Sequence, residues 1–319
     1  MSSYLRYRRA VACLSRVIER NVRRRSVLAA ALLLPLAGCA TPAAPSAPVS
    51  APTVSTPSAP VRTDRLPELE QRFDARLGVY ALDTGTGQEL AYRADERFAM
   101  CSVFKALAAA AVLHRTPPEY LDRRVHYSEA DLIDPSPIAT QHVDDGMTIR
   151  ELCDAAVRYS DNAAGNLLLT DVGGPAGITA FARSLGDEIT RLDRTEPELN
   201  TAIPGDERDT TTPRAIAGSL RTLVLDDHLD PTDRALFTEW LVGNKTGDER
   251  IRAGLPAGWR VGDKTGTGSY GTANDVAVVW PPDAAPIALA VLTSRAAEDA
   301  TRDNALLAEA AAVVAQELG

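Results

Sequence analysis

Strand-like sequence stands at both ends of the body of this chain and helical sequence fills the middle, an order that few folds accommodate. Arg76 to Leu82 and Glu89 to Tyr92 read as a hairpin joined by the turn chemistry of Asp83-Thr84-Gly85-Thr86-Gly87. Trp259 to Thr265, Ala273 to Trp280 and Ile287 to Thr293 read as three further strands. Between them the spacing predicts helices over Ser102 to Leu113, Thr148 to Ser160, Ala163 to Asp171, Pro175 to Leu185 and Pro213 to Val224. A last helix runs from Thr301 to Leu318. Thr148 is placed to cap its helix, and Glu151 completes a capping box. Sequential β–α–β alternation is absent, which disfavours a parallel, doubly wound sheet. The expectation is an α+β fold. An antiparallel five-stranded sheet flanked by helices is built from both chain ends (65–97 and 245–319), the part over 98–244 is all-helical, and the cleft between them is the natural place for a site.

The first 64 residues stand outside that fold. Arg23, Arg24 and Arg25 precede the apolar run Val27 to Leu36, which ends in Leu36-Ala37-Gly38-Cys39. This is the layout of a secretory signal over 1–38. The run is about half the roughly 20 residues a bilayer-spanning helix needs, so no permanent span is expected. Its end resembles a bacterial lipobox that would leave a lipidated Cys39 at the mature N-terminus; cleavage without lipidation is the alternative. Arg24-Arg25-Ser26-Val27-Leu28 also resembles a twin-arginine export signal. Either route leads outside the cytoplasm, to a cell-envelope lipoprotein or a secreted form. Residues 39–64, dominated by Pro, Ala, Ser and Thr, read as an extended tether to a body over 65–319.

Charge narrows the partners. Residues 1–38 carry eight arginines and one glutamate, so their removal takes the formal charge from −9 to −16. So acidic a protein is a poor binder of nucleic acid or anionic membrane, and contact with a membrane is expected only through Cys39. A monomer is expected. With Cys13 and Cys39 assigned to the leader, Cys101 and Cys153 remain and read as two buried free thiols, although a bridge between them stays open. His114, His126, His142 and His228 show no ligand spacing, so neither a metal nor a cofactor is proposed.

The chemistry lies where lysine was kept. Only Lys105, Lys245 and Lys264 are lysines among 34 basic residues. Arginine holds its charge at any ordinary pH, whereas a desolvated lysine gives up a proton and acts as a base. Genomic base composition explains the arginine excess and Lys245. It does not explain why Lys105 closes Ser102-Val103-Phe104-Lys105 while Lys264 opens Lys264-Thr265-Gly266, with Ser160-Asp161-Asn162 between them. At i and i+3 on a helix, Ser102 and Lys105 share a face, so the amine reaches the hydroxyl. Each string alone is weak: Ser, Asp and Asn cap helices, and Lys-Thr-Gly ends a strand in an ordinary turn. Their joint occurrence, in this order on suitable elements, is a serine acyl-transfer set.

With Arg194-Thr195-Glu196-Pro197-Glu198-Leu199-Asn200, continued to Thr211, the body from Arg65 onward resembles the class A serine β-lactamases. Met100 to Lys105 and Lys264-Thr265-Gly266-Thr267-Gly268 match the family closely as well. The resemblance implies hydrolysis of penicillins and cephalosporins. Ser102 would be the nucleophile, Lys105, Glu196 or both would take its proton, and Ser160 would pass a proton to the departing nitrogen. The backbone N–H groups of Ser102 and Thr267 would form the oxyanion hole, a device worth about 3–4 kcal/mol per donor. Asn162 would hold the amide side chain of the substrate, and Lys264, Thr265, Gly266, Thr267 and Arg250 would line the site of its carboxylate. Glu196, with Asn200, would activate the hydrolytic water. Arg250 has a second reading, because Asp248, Glu249, Arg250 and Arg252 also suit a solvated charged face. Arg194 and Asp209 match an ion pair closing the loop base, and a cis Glu196-Pro197 bond is implied. Three positions depart from relatives: Ala109 and Gly268 stand where many have cysteine, and Pro135 where an aromatic is usual.

Overall fold

Helix α1 (Arg65–Arg72) turns two leucines, Leu66 and Leu69, inward and leads into the hairpin β1 (Arg76–Asp83) and β2 (Glu89–Tyr92). This is a computed structural model that describes residues 63–319; the leader, Cys39 and all but the last two residues of the tether lie outside the described residues. Two short pairs follow in the chain, β3 (Phe98–Ala99) with β6 (Thr210–Thr211) and β4 (Arg124–Val125) with β5 (Met147–Thr148). Helices α2 (Phe104–Arg115), α3 (Ile149–Arg158), α4 (Asn162–Val172) and α5 (Gly174–Ser184) make the middle. After α6 (Pro213–Leu225), α7 (Pro231–Val242) and the single turn α8 (Ile251–Gly254) come β7 (Arg260–Thr267), β8 (Ala273–Trp280) and β9 (Ile287–Ser294). Helix α9 (Asn304–Leu318) closes the chain.

The five long strands form one sheet in the order β2-β1-β9-β8-β7, every neighbour antiparallel. Both chain ends build it, as the sequence predicted. Strands β8 and β9 are buried on both faces, which is why they read as continuous apolar runs and not as alternating ones. Val276, Val278, Ala290 and Leu292 face the helical layer. Their neighbours Ala277, Val279, Leu289 and Val291 pack with Leu306, Leu307 and Val314 of α9 on the other side. Strand β7 is left at the sheet edge, with one side free for a cleft.

Helix α2 is the centre of the helical layer. Every residue from Phe104 to Leu113 is buried, and its run of alanines lets α3, α4, α5 and α7 approach closely. Thr148 and Glu151 form the predicted capping box, the Glu151 N–H donating to Thr148 Oγ1 at 3.2 Å and the Thr148 N–H to Glu151 Oε2 at 2.7 Å. Several boundaries differ from the sequence reading by one to three residues. Helix α7 was not foreseen: Asp230 caps it by accepting from the N–H groups of Thr232 and Asp233, and Pro231 occupies its first position. Its inward stripe reduces to Phe237, Trp240 and Leu241, too short a pattern for periodicity to reveal. Helix α9 starts at Asn304, three residues later than expected, because the Asp303 side chain caps it there.

Candidate active site

The approach to Ser102 is strained. Cys101 has φ 49°, in the left-handed region, and Cys101–Val103 form a single 3-10 turn feeding α2. The start of the α-helix thus falls at Phe104, two residues after the serine. Asn274 on β8 holds the turn from below, donating to the Ala99 carbonyl at 2.8 Å. Lys105 is fully buried, and its Nζ donates to Ser102 Oγ at 2.9 Å, as the i, i+3 spacing required. Its stem uses a gap in α4: a Cβ on Gly165 would lie 2.8 Å from Lys105 Cε and would push the amine from its place. The amine also faces the Ser160 carbonyl at 2.8 Å, Asn162 Oδ1 at 2.6 Å and Glu196 Oε1 at 2.9 Å. Burial pushes the Lys105 amine below the usual lysine range, and the nearby Glu196 carboxylate partly opposes that.

Glu196 is brought to the serine by an irregular loop. Ser102 Oγ donates to Glu196 Oε1 at 3.0 Å. Asn200, four residues on, donates to Glu196 Oε2, while its own Oδ1 is buried without a partner. The Glu196-Pro197 bond is cis, as the resemblance implied. At the loop base Asp209, fully buried, accepts from the backbone N–H groups of Asp193 and Arg194 and from Arg194 Nε at 2.5 Å. Asp209→Ala strands all three donors, and breaking such a pair costs about 3–5 kcal/mol. The expected result is a clear fall in melting temperature together with slowed turnover, read by thermal unfolding and steady-state kinetics. An unchanged melting temperature contradicts it.

The opposite wall comes from the β7 edge and the turn before α4. Ser160 stands at φ 57°, and its Oγ accepts from Lys264 Nζ at 3.0 Å. Burial first, then the charge of Lys105, pushes the Lys264 amine well below its ordinary range. Asn162 donates to the Asp134 carbonyl at 3.0 Å, and its N–H donates to the carbonyl of Pro135 at 3.0 Å. Thr265 Oγ1 lies 2.5 Å from Thr246 Oγ1. Gly266 lets the strand pass close to the nucleophile turn, since a Cβ there would stand 2.7 Å from the Met100 carbonyl. Arg250 is 5 % exposed, which overturns the solvated-face reading. Its guanidinium donates to the Gly266 and Asn274 carbonyls, to Thr267 Oγ1 at 2.8 Å and to Asn304 Oδ1 at 3.0 Å.

A hydroxyl between an amine and a carboxylate, facing a second serine and a second amine, is an acyl-transfer arrangement. The family described as the beta-lactamase enzyme family matches residues 62–318. The chain belongs to that family. It is 58 % identical over 265 residues to a β-lactamase of Amycolatopsis lactamdurans, covering 83 % of this chain and 88 % of that one. The β-lactamase of Streptomyces albus G is 54 % identical and superimposes with a TM-score of 0.79 over 80 % of this chain and 98 % of that one. A variant of the last common ancestor of Gram-negative bacteria class A β-lactamase is 60 % identical, with a TM-score of 0.77 over 79 % and 96 % of the two chains. This β-lactamase therefore has the class A fold and is a hydrolase of the β-lactam amide bond.

Of the site residues read from the sequence, Ser102, Lys105, Ser160, Asn162, Glu196, Asn200 and Lys264 are linked by direct contacts. Thr265, Gly266 and Thr267 follow along β7, with Arg250 bonded to the last two. Asn166 was missed. It lies one turn beyond Asn162 on α4, donates to the Glu196 carbonyl at 2.9 Å and accepts the Glu196 N–H at 3.0 Å. Its distance of 30 residues from Glu196 leaves no local signal; only the i, i+4 spacing from Asn162 hints at a shared face. A cavity of about 810 Å³ lies elsewhere: Ala202 to Glu207 of the loop form one wall and Arg76, Arg97 and Phe98 another, and Ser102 does not line it.

Proposed function

We propose that the enzyme hydrolyses penicillins and cephalosporins through a covalent acyl-enzyme at Ser102, released by a water that Glu196 activates. The 3.0 Å contact between Ser102 Oγ and Glu196 Oε1 carries this reading. Oγ attacks the lactam carbonyl carbon and its proton passes to Glu196 or Lys105. The C–N bond breaks as Ser160 protonates the nitrogen, and the first proton is relayed through the lysines to restore the Ser160 hydroxyl, leaving Glu196 ionised for the second step. Backbone N–H groups of Ser102 and Thr267 stabilise the oxyanion. Asn162 holds the substrate amide. In the second step, water positioned by Glu196 and Asn200 attacks the ester carbonyl and Ser102 recovers its proton.

Steady-state hydrolysis of a chromogenic cephalosporin and of benzylpenicillin, with intact-mass spectra of the same samples, tests this reading. A stoichiometric burst followed by silence sinks it, and so does hydrolysis without an adduct on Ser102. The chain is further proposed to be exported and anchored through Cys39; Cys39→Ala should move the protein from the membrane fraction to the soluble one.

Lys264, Thr265, Gly266, Thr267 and Arg250 receive the substrate carboxylate, a cationic patch on an acidic protein. Losing a hydrogen bond to a charged group costs about 1.5–3 kcal/mol. Arg250→Ala should therefore raise KM about 10- to 100-fold for carboxylate-bearing substrates and far less for an esterified analogue. Equal effects on both would make Arg250 a brace for β7 and nothing more.

A further inference from the structure

Two carboxylates behind the β7 edge take no part in the chemistry above. Asp263 directly precedes Lys264 in β7, and Asp275 stands in β8 opposite Thr265. Strand alternation puts Asp263, Thr265 and Asp275 on the α9 side of the sheet, with Lys264 on the other. Asp263 and Asp275 are diagonal neighbours on that face, a separation their side chains bridge. Both are fully buried, and the charge of Asp263 acts on Asp275.

The two acids are unequally supplied with donors. Asp263 Oδ1 accepts from Arg252 Nε at 2.6 Å, and its Oδ2 accepts from Asn244 Nδ2. Asp275 Oδ2 accepts the Ile251 N–H at 3.1 Å, but Oδ1 is buried and no donor reaches it. An ionised oxygen left so is costly. The same oxygen carrying a proton becomes a donor, and Asp263, its diagonal neighbour on the face, is a carboxylate within side-chain reach.

We propose that Asp263 and Asp275 hold one proton between them, and that this acid–carboxylate pair is a positioning device for the Thr265 hydroxyl. Burial, reinforced by the charge of Asp263, pushes the Asp275 carboxyl well above the ordinary carboxylate range, as a held proton requires. The connection to the cleft is a chain of hydrogen bonds. Asn244, fixed by Asp263, accepts through Oδ1 from the Thr246 N–H at 3.0 Å and from Thr246 Oγ1 at 2.8 Å. With the Thr246 hydroxyl proton spent on Asn244, Thr265 is the donor in the 2.5 Å contact between the two threonines. A substrate carboxylate needs Thr265 to donate outward. One rotation provides it: the Thr246 hydroxyl turns from Asn244 to Thr265 Oγ1, while Asn244 keeps the Thr246 N–H. This role rests on the reading of Thr265 as a carboxylate-binding residue.

Losing the shared proton would put a second negative charge beside Asp263. The Arg250 charge favours an ionised Asp275, but burial and the charge of Asp263 outweigh it, and no cation bonds the unpartnered oxygen. Arg252 already binds Asp263, and the α7 carbonyls of Leu241 and Val242 accept from Arg252. Arg250 gives four of its five N–H donors to two carbonyls, Thr267 and Asn304. Asp248 pairs with Arg252 at 3.9 Å, Glu249 accepts from Asn304 of α9, and Lys264 points to the opposite face, toward Ser160. Arg302, ahead of α9, acts on Arg250 and makes no bond to the pair.

Infrared difference spectroscopy of the purified protein tests the proton directly. A protonated-carboxyl band should be present at neutral pH, shift in heavy water and vanish in Asp275→Asn. Absence of the band, or its survival in Asp275→Asn, overturns the shared proton. The pH profile of KM for a carboxylate-bearing substrate tests positioning. KM should rise at alkaline pH, and Asp275→Asn, whose amide donates to Asp263 without titrating, should move that rise to higher pH while leaving the neutral-pH KM within about twofold. Lys264 titrates in both proteins, so the difference between the profiles belongs to the pair. Asp275→Val, which cannot donate, should raise KM about tenfold and alter kcat less. Superimposable profiles, or a KM effect in Asp275→Val equally large for an esterified substrate, overturn the positioning role and leave the acyl chemistry at Ser102 untouched. Should the valine variant not fold, the infrared and asparagine arms still decide.

Discussion

Ser102→Ala should abolish covalent labelling by a penicillin and lower kcat by on the order of a million-fold, the scale of losing the nucleophile in a serine hydrolase. No neighbouring group can replace Oγ. Ser160 presents the other serine hydroxyl in the cleft, but its Oγ is held by Lys264 and it stands at the turn before α4. Lys105 is enclosed by Ser102, Glu196, Asn162 and the Ser160 carbonyl, with no free side to meet a carbonyl carbon. The fold should survive. Removing Oγ takes away one buried hydroxyl whose two partners already bond each other, since Lys105 Nζ lies 2.9 Å from Glu196 Oε1. The decisive measurement pairs intact-mass spectrometry with thermal unfolding. An adduct retained at another residue of a folded protein removes Ser102 from its role.

How much of this could be read from the chain depends on the range of each interaction. The Ser102–Lys105 contact was legible because helical periodicity alone sets it. The capping box of α3 was legible for the same reason: donors and acceptors lie three residues apart. The sheet was legible because strand textures at both chain ends had one antiparallel way to share a layer. Asn166, Asn244, Thr246 and Asp275 were not, because each works on a partner 19 or more residues away or across a strand pair, where only folding sets the distance. Arg250 was ambiguous because a run of mixed charges looks solvated. Its burial follows from the strand-edge carbonyls of Gly266 and Asn274, which sequence does not reveal. Cys101 and Cys153 are both buried and unbridged, and burial pushes both thiols above their ordinary range. A Cβ at position 268 would lie 2.8 Å from Cys101 Sγ, so the glycine there leaves that thiol without a neighbour to bridge.

Glu196→Gln separates the two halves of the reaction. The amide keeps the length of the side chain and a carbonyl oxygen for Lys105 or Asn200, yet it cannot take a proton. Loss of a general base costs about 10²- to 10⁴-fold, so the acyl-enzyme on Ser102 should accumulate and turn over that much more slowly. The acylation rate distinguishes the two candidates for the first proton. Lys105 already lies below the ordinary lysine range through burial, with the Glu196 charge opposing the shift. Removing that charge lowers the amine further and favours its neutral, basic form. If Lys105 is the acylation base, the burst in Glu196→Gln keeps its speed and its plateau is stable. If Glu196 serves both steps, the burst itself slows by a comparable factor. Rapid-quench mass spectrometry reads both rates in one experiment. Turnover at the wild-type rate, with no accumulated adduct, would remove Glu196 from deacylation and leave its 3.0 Å contact with Ser102 as a structural bond alone.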